Sequence, residues 1–439
     1  MPGLRPHLRA AFRSLRYRNF RLFAGGQLIS LVGTWMQNVA QAWLVYRLTG
    51  SALLLGGIAF ANQIPIFLLG PVGGIVADRY SRHRVVIATQ VASMLLASTL
   101  AALTLTGRIE GYHLFVLAAL LGAVNAIDIP ARQAFIGDMV ARTDLVNAIA
   151  LNSTMFNGAR IVGPAIAGLL VAWVGEGWCF LLNAVSYVAV LAGLLRMRVA
   201  GRARRPDGPV LEHAVAGFRF VLRHAPVHAI LALLGVVSVT GMPYVVLMPI
   251  FADRILHSGA TGLGVLMGAT GAGAVVAALL LATRRGVHGL GGMVVLAAAG
   301  FGAGLIGFSL SRTFWLSALL LVATGFSLML QMGSSNTLVQ SMSPDHMRGR
   351  VMAVYSMMFM GVAPIGSLLA GVLAAKFGAP LTVGAGGAVA LAAAGFFALR
   401  LPALRAEGRR LIVAQELAAG SPAQEVTGGG LPVNPEEAE

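Results

Sequence analysis

Apolar runs of about twenty residues, enough to cross ~30 Å of hydrocarbon as helix, recur along almost the whole chain with short polar gaps between them. They predict membrane-spanning helices over Phe20 to Tyr46, Leu53 to Val76, Val85 to Leu105, Leu114 to Ile136, Ala148 to Val174 and Trp178 to Leu195. A second set runs over Ala229 to Phe251, Gly264 to Ala282, Met293 to Leu310, Leu316 to Val339, Val351 to Ala375 and Leu381 to Leu399. The fold class expected is an all-α membrane protein with twelve transmembrane helices in two pseudo-symmetric six-helix bundles. Residues 1–19 form an N-terminal segment, 20–195 and 229–399 the two bundles, 196–228 the linker, and 400–439 a tail.

Within the linker, Leu211, Val215, Phe218 and Leu222 recur at three- and four-residue spacing with Arg219 and Arg223 off the stripe, as in a helix lying in the membrane interface. The tail from Arg405, rich in Gly, Pro, Ala and Glu, shows no apolar period and is expected to be disordered. RIVGPAIAGLL in the fifth span echoes VAPIGSLLAG in the eleventh, with Pro164 and Pro364 in equivalent places. Such repeats are how transporters build a midplane site between two halves. Gly264 with Gly268, and Gly300 with Gly304 and Gly307, have the spacing that lets helix backbones approach closely in lipid.

Composition agrees with the pattern: 57% of positions are hydrophobic and 11% charged, with a mean hydropathy of +0.80, against about a quarter charged in soluble domains. The net charge of +16 would suggest nucleic acid if it were gathered on one face, but the basic residues sit in alternate gaps, where they contact membrane lipids and set topology. Arg5 to Arg18, Arg79, Arg82, Arg84, Arg132, Arg142, Arg196 to Arg223, Arg284, Arg285, Arg348 and Arg350 fall on one side. Arg47, Arg108, Arg254, Arg312 and Lys376 fall on the other. This asymmetry predicts a multi-pass protein of the cell (inner) membrane with both termini cytoplasmic, the basic N-terminus being a retained cytosolic segment. The single cysteine, Cys179, leaves no disulfide framework.

The loop GGIVADRYSRHR places Asp78 at a helix C-terminus, which disfavours an anion, so Asp78 needs a cationic partner. Gly74, Asp78, Arg79, Arg82 and Arg84 are the candidate gating loop, a charge clamp between neighbouring helices that could break in another conformation. Charges inside spans cost roughly 2.5–3.5 kcal/mol on insertion scales and default to functional candidates. Arg160, near the middle of the fifth span, and Asp128, in the lower third of the fourth, are the coupling candidates. They either pair with one another or bind substrate and proton separately; alternatively Asp128 pairs with Arg132 or caps a helix end that Pro130 disturbs.

Amides in hydrocarbon must face protein or water, so Gln27, Gln37, Asn38, Gln41, Asn62, Gln63, Asn125, Asn152, Gln331 and Asn336 mark a partly polar cavity, with Trp35 and Phe156 available to an apolar solute. Gly268-x-x-Gly271-x-Gly273 lies inside an apolar span without a preceding strand, and the only lysine, Lys376, has no phosphate-loop context. No nucleotide cofactor is expected, and energy should come from an ion gradient. His224 and His228 have no third ligand nearby, so no metal is expected. Neither H-E-x-x-H nor G-x-S-x-G occurs, and the chain does not read as an enzyme.

Gly74-x-x-x-Asp78-Arg79-x-x-Arg82-x-Arg84 resembles the loop motif of the major facilitator superfamily. Gly158-x-x-x-x-Gly163-Pro164-x-x-x-Gly168 resembles the fifth-helix motif of its proton-driven exporters. IPARQAFIGDMV, NGARIVGP and PDHMRGRVMAVYSMMF look like the branch containing macrolide efflux proteins and the enterobactin exporter, and the likeness covers Phe20 to Leu399. The resemblance implies a drug:proton antiporter type: export of a small amphipathic or lipophilic solute, drug, macrolide or siderophore-like, by proton-coupled alternating access. The alternatives are an importer on the same fold or a non-transporting membrane sensor. The working unit is expected to be a monomer. The corresponding loop of the second half, LATRRGVHG from Leu281 to Gly289, carries arginines but no acid, so no matching second gate is expected.

Overall fold

The computed structural model describes residues 12–198, 210–284 and 286–418; Arg5, Arg9, the linker segment 199–209, Arg285 and the tail 419–439 lie outside the described residues. Among the described residues there are long helices and no strand. The first half contains α1 (Arg18–Thr49), α2 (Ala52–Arg79), α3 (Arg82–Leu105), α4 (Gly111–Met139), α5 (Leu145–Val174) and α6 (Glu176–Leu195). After α7 (Val210–Arg223) come α8 (Ala225–Ile255), α9 (Gly259–Thr283), α10 (Leu290–Leu310), α11 (Phe314–Ser341), α12 (Asp345–Phe377) and α13 (Ala379–Ala418). Eleven of these helices are long and apolar enough to cross a membrane. The twelfth span is α1, whose hydropathy is lowered by Gln27, Gln37, Asn38 and Gln41 but whose 32 residues extend about 48 Å.

Helix pairing repeats between the halves. In the first, α2 packs on α4, α3 on α4 and α6, and α1 on α5 and α6; in the second, α9 packs on α11, α10 on α11 and α13, and α8 on α12 and α13. Glycine makes the tightest crossings possible. A Cβ on Gly73 would overlap the Ala126 carbonyl oxygen and one on Gly122 that of Asn62; in the second half Gly273 meets Val322 and Gly325 meets Thr270 in the same way. Gly73→Val should therefore cost more than the ~1–3 kcal/mol of ordinary overpacking, since the clash is with backbone that cannot turn aside. Gly74→Val, where nothing lies within 4 Å, should melt like the parent; detergent-solubilised yield and thermal unfolding check both.

The end of the bundle that carries the Arg13–Arg16 turn and the α2–α3 and α4–α5 connections is called the basic face below. The two bundles meet toward the opposite face, along α2 with α12 and α5 with α9. There a Cβ on Gly371 would lie 2.8 Å from Ala52 O, and one on Gly264 would lie 2.6 Å from Pro164 O and 2.8 Å from Gly168 Cα. The side-chain hydrogen bonds found crossing between bundles lie toward the same face: Tyr46 OH donates to Asp253 Oδ2 at 3.0 Å, and Thr261 Oγ1 to the Gly168 carbonyl at 3.3 Å.

Several elements differ from expectation. Pro130 does not end or break α4, which runs nine residues further to Met139. α13 continues past Leu399 to Ala418, so residues 400–418 are helical rather than disordered. Leu401, Leu404, Leu411 and Ile412 pack on the second bundle, an i, i+3, i+10, i+11 stripe on one helix face hidden in an Ala/Arg/Glu-rich stretch. In α7, Gly217 and Val221 are buried, Gly217 against the Arg350 carbonyl, while Val215 and Leu222 are exposed. The protein-facing stripe is thus turned from the one read in the sequence, and the side chain of Leu211 lies outside the described residues. Two π-type turns, Val237–Gly241 in α8 and Met357–Gly361 in α12, precede Pro243 and Pro364 and widen the helix where a proline ring would strike the carbonyl four residues back.

Candidate functional site

At the basic face Arg82, the first residue of α3, lies between two acids. Its Nη2 is 3.4 Å from Asp78 Oδ1 at the end of α2, and its Nη1 is 3.2 Å from Asp138 Oδ1 near the end of α4. Nη1 also reaches the Ala134 carbonyl. One guanidinium therefore neutralises two carboxylates at helix C-termini, where the dipole disfavours them. Arg79 and Arg84 are exposed and outside this clamp, and Gly74 faces open space; Gly73 is the glycine that the helix crossing requires. Asp138 was not singled out from sequence, although an acid ending the fourth span opposite an arginine-rich loop is a usable signal. Both acids are more than a third exposed, so Arg82→Ala should cost only about 1 kcal/mol by thermal unfolding. Arg82→Lys should recover less than half of it, because a point charge cannot fork between two partners.

A third acid is held at the same face. Asp144, 1% exposed, takes ion pairs from Arg13 and Arg16 and a hydrogen bond from Tyr17 OH at 2.8 Å. This ties the chain before α1 to the start of α5, and Ser14 on Asn147 strengthens it.

Deeper in the first bundle, Asp128 is 3% exposed. Thr89 Oγ1 and Gln90 Nε2 of α3 donate to its Oδ1 at 2.7 and 3.0 Å, and Arg132 Nε, one helical turn on, is 3.0 Å from its Oδ2. Arg160 is elsewhere: its guanidinium carbon lies 5.8 Å from the centroid of the Trp35 ring, which in turn packs edge-on against Phe156 at 5.6 Å. The direct Asp128–Arg160 pair is not formed. The three glycines of the fifth-helix motif do separate work. Gly163 admits α1, since a Cβ there would lie 2.5 Å from Trp35 Cβ; Gly168 admits α9 of the other bundle; Gly158 has nothing within 4 Å. Pro164 is buried in an unbroken helix.

The amides divide as well. Gln37 accepts a hydrogen bond from Asn183 at 2.7 Å and Asn62 donates to the Ala118 carbonyl at 3.2 Å, so both hold helices together within the first bundle. Gln27 and Gln331 are buried, with side-chain atoms lacking a protein partner. Asn38, one turn beyond Trp35, is exposed, while Gln41, Gln63, Asn125 and Asn152 are half-buried. In the second bundle Asn336, with Met329, Met332 and Tyr355, lines a cavity of about 540 Å³. The candidates thus fall in three places: an aromatic–cation group on α1 and α5, a buried carboxylate on α4, and a largely apolar cavity of the second bundle with Asn336 in its wall.

Two six-helix bundles that repeat one pairing scheme and join toward one face define a polytopic membrane protein of the major facilitator fold. Residues 9–424 match the family described as transmembrane secretion effector, and the chain belongs to that family. It is 25% identical over 361 residues to the staphyloferrin A transporter of Staphylococcus aureus (82% of this chain, 90% of that one). To the multidrug efflux pump Tap of Mycolicibacterium fortuitum it is 28% identical, covering 87% and 92%. To the enterobactin exporter EntS of Shigella boydii it is 26% identical, covering 81% and 85%. Among solved structures, an inward-facing, unoccupied bacterial homologue of the lysosomal transporter Spinster superposes with a TM-score of 0.65 at 15% identity, covering 91% of this chain and 98% of that one. An inward-facing bacterial homologue of ferroportin gives 0.65 at 16%, covering 89% and 98%; these two likenesses concern the fold.

Proposed function

We propose that the protein is a secondary active exporter of a small amphipathic or lipophilic solute, with the basic face and both termini cytoplasmic in the inner membrane. The observation that carries this is the asymmetric closure: the bundles join through Gly56–Gly371 and Gly168–Gly264 toward the opposite face, while the polar and aromatic candidates lie between that seam and the basic face. In this arrangement solute enters from the cytoplasm, and rocking of one bundle against the other re-exposes it outside. Trp35, Phe156 and Arg160 contact the solute. Asp128 takes up and releases the coupling proton, its charge held by Arg132, Thr89 and Gln90 until a proton replaces the guanidinium. The Arg82 clamp biases the balance between the two states. The relatives described as siderophore and multidrug transporters support this substrate class.

The test is flux in proteoliposomes with lipophilic cations, macrolides and siderophores, with and without a pH gradient. Gradient-dependent movement away from the basic face is expected. Movement in the other direction would make the protein an importer, and no flux with any class would remove the transport reading.

A further inference from the structure

A separate cavity of about 450 Å³ lies at the basic face of the second bundle, under the part of α13 that extends beyond the predicted span. Ile230 of α8, Leu338 of α11 and Leu401, Leu404 and Ile412 of α13 give it an apolar wall. His288, Arg405 and Arg409 also line it, all three exposed, and among the described residues no acidic side chain does. The helix is placed by close contacts: a Cβ on Gly408 would meet Met342 Sδ at 3.3 Å, and one on Gly292 would meet Arg405 Nη2 at 3.2 Å, so this guanidinium sits over the first turn of α10.

We propose that this cavity binds one anionic phospholipid, with acyl chain against Leu338, Leu401 and Ile412 and phosphate between His288, Arg405 and Arg409. The argument is charge and polarity together, at the end of a span where hydrocarbon gives way to headgroups. A free anion would leave the apolar wall wet, and a zwitterionic lipid would leave the cations without net compensation. Arg405 and Arg409 cover apolar surface with their stems while their heads reach the phosphate layer. The bound lipid staples α13 to α8, α10 and α11. This rests on the proposed orientation only for which leaflet supplies the lipid, and its test does not involve flux.

Purified full-length protein in neutral detergent is titrated with phosphatidylglycerol, with phosphatidylcholine of the same chains, and with inorganic phosphate, reading bound lipid by native mass spectrometry and the melting temperature. Phosphatidylglycerol is expected to bind about 30-fold tighter than phosphatidylcholine, the effect of two arginines beside an anionic headgroup, and to raise the melting temperature. Arg405→Ala with Arg409→Ala should erase the difference. Arg219→Ala with Arg223→Ala, an equal loss of exposed charge on α7, should preserve it. If the first double variant is itself less stable without lipid, Arg405→Lys with Arg409→Lys should restore the preference. Equal binding of the two lipids, an equal shift with phosphate alone, loss of preference in the α7 variant, or failure of the lysine pair to restore it would each overturn the proposal.

Discussion

Gly264→Leu should leave both bundles folded and reduce transport by about ten- to a hundred-fold, because the atoms a side chain would strike there, Pro164 O and Gly168 Cα, belong to the other bundle. Overpacking costs ~1–3 kcal/mol, and here the strain can be relieved by parting the bundles rather than by unfolding either one. The equilibrium then shifts toward the state open at that face, by roughly a factor of ten for each 1.4 kcal/mol. A thiol introduced as Ala260→Cys, half-buried beside the seam, reports this directly, since the only native cysteine, Cys179, is buried. Faster alkylation together with lost flux and an unchanged melting temperature is the expected combination; unchanged alkylation and flux would show that the seam does not open.

Asp128 should separate stability from coupling. Asp128→Ala removes the acceptor for Thr89 and Gln90 and strands the Arg132 charge, and should cost about 3 kcal/mol, the low end for a broken buried pair because Arg132 is partly exposed. Asp128→Asn keeps an oxygen facing those donors, so the protein should remain folded while flux loses its dependence on the pH gradient. Arg160→Ala, with no carboxylate among its contacts here, should melt nearly as the parent and weaken solute transport. Coupled transport at parental rates in both Asp128→Asn and Arg160→Ala would remove these residues from the mechanism.

The order of helices was legible because lipid enforces one rule, that a span be long, apolar and helical, and eleven helices obey it, with α1 the more polar twelfth. The pairing of Asp128 with Arg132 at one-turn spacing was legible for a similarly local reason. Contacts between distant elements were not. Gly73 and Gly74 look alike in sequence, yet only Gly73 faces a crossing helix. Gly168 and Gly264 could each be marked as close-approach residues, but nothing local says that they meet. Gln37 and Asn62 read as cavity amides because an amide in a span signals only that it faces something polar, and here that is Asn183 and the Ala118 carbonyl. The helical end of α13 was missed because alanine, arginine and glutamate dilute its leucine stripe.

Rocking of the bundles is tested most directly by distances between paired spin labels at the two faces. One pair, Thr143→Cys with His346→Cys, spans the bundles at the basic face; the other, Arg108→Cys with Arg312→Cys, spans them at the opposite face, and all four positions are exposed. On adding a transported solute or reversing the pH gradient, the first distance should shorten as the second lengthens, whereas two fixed distances, or two that move in the same direction, would contradict the account.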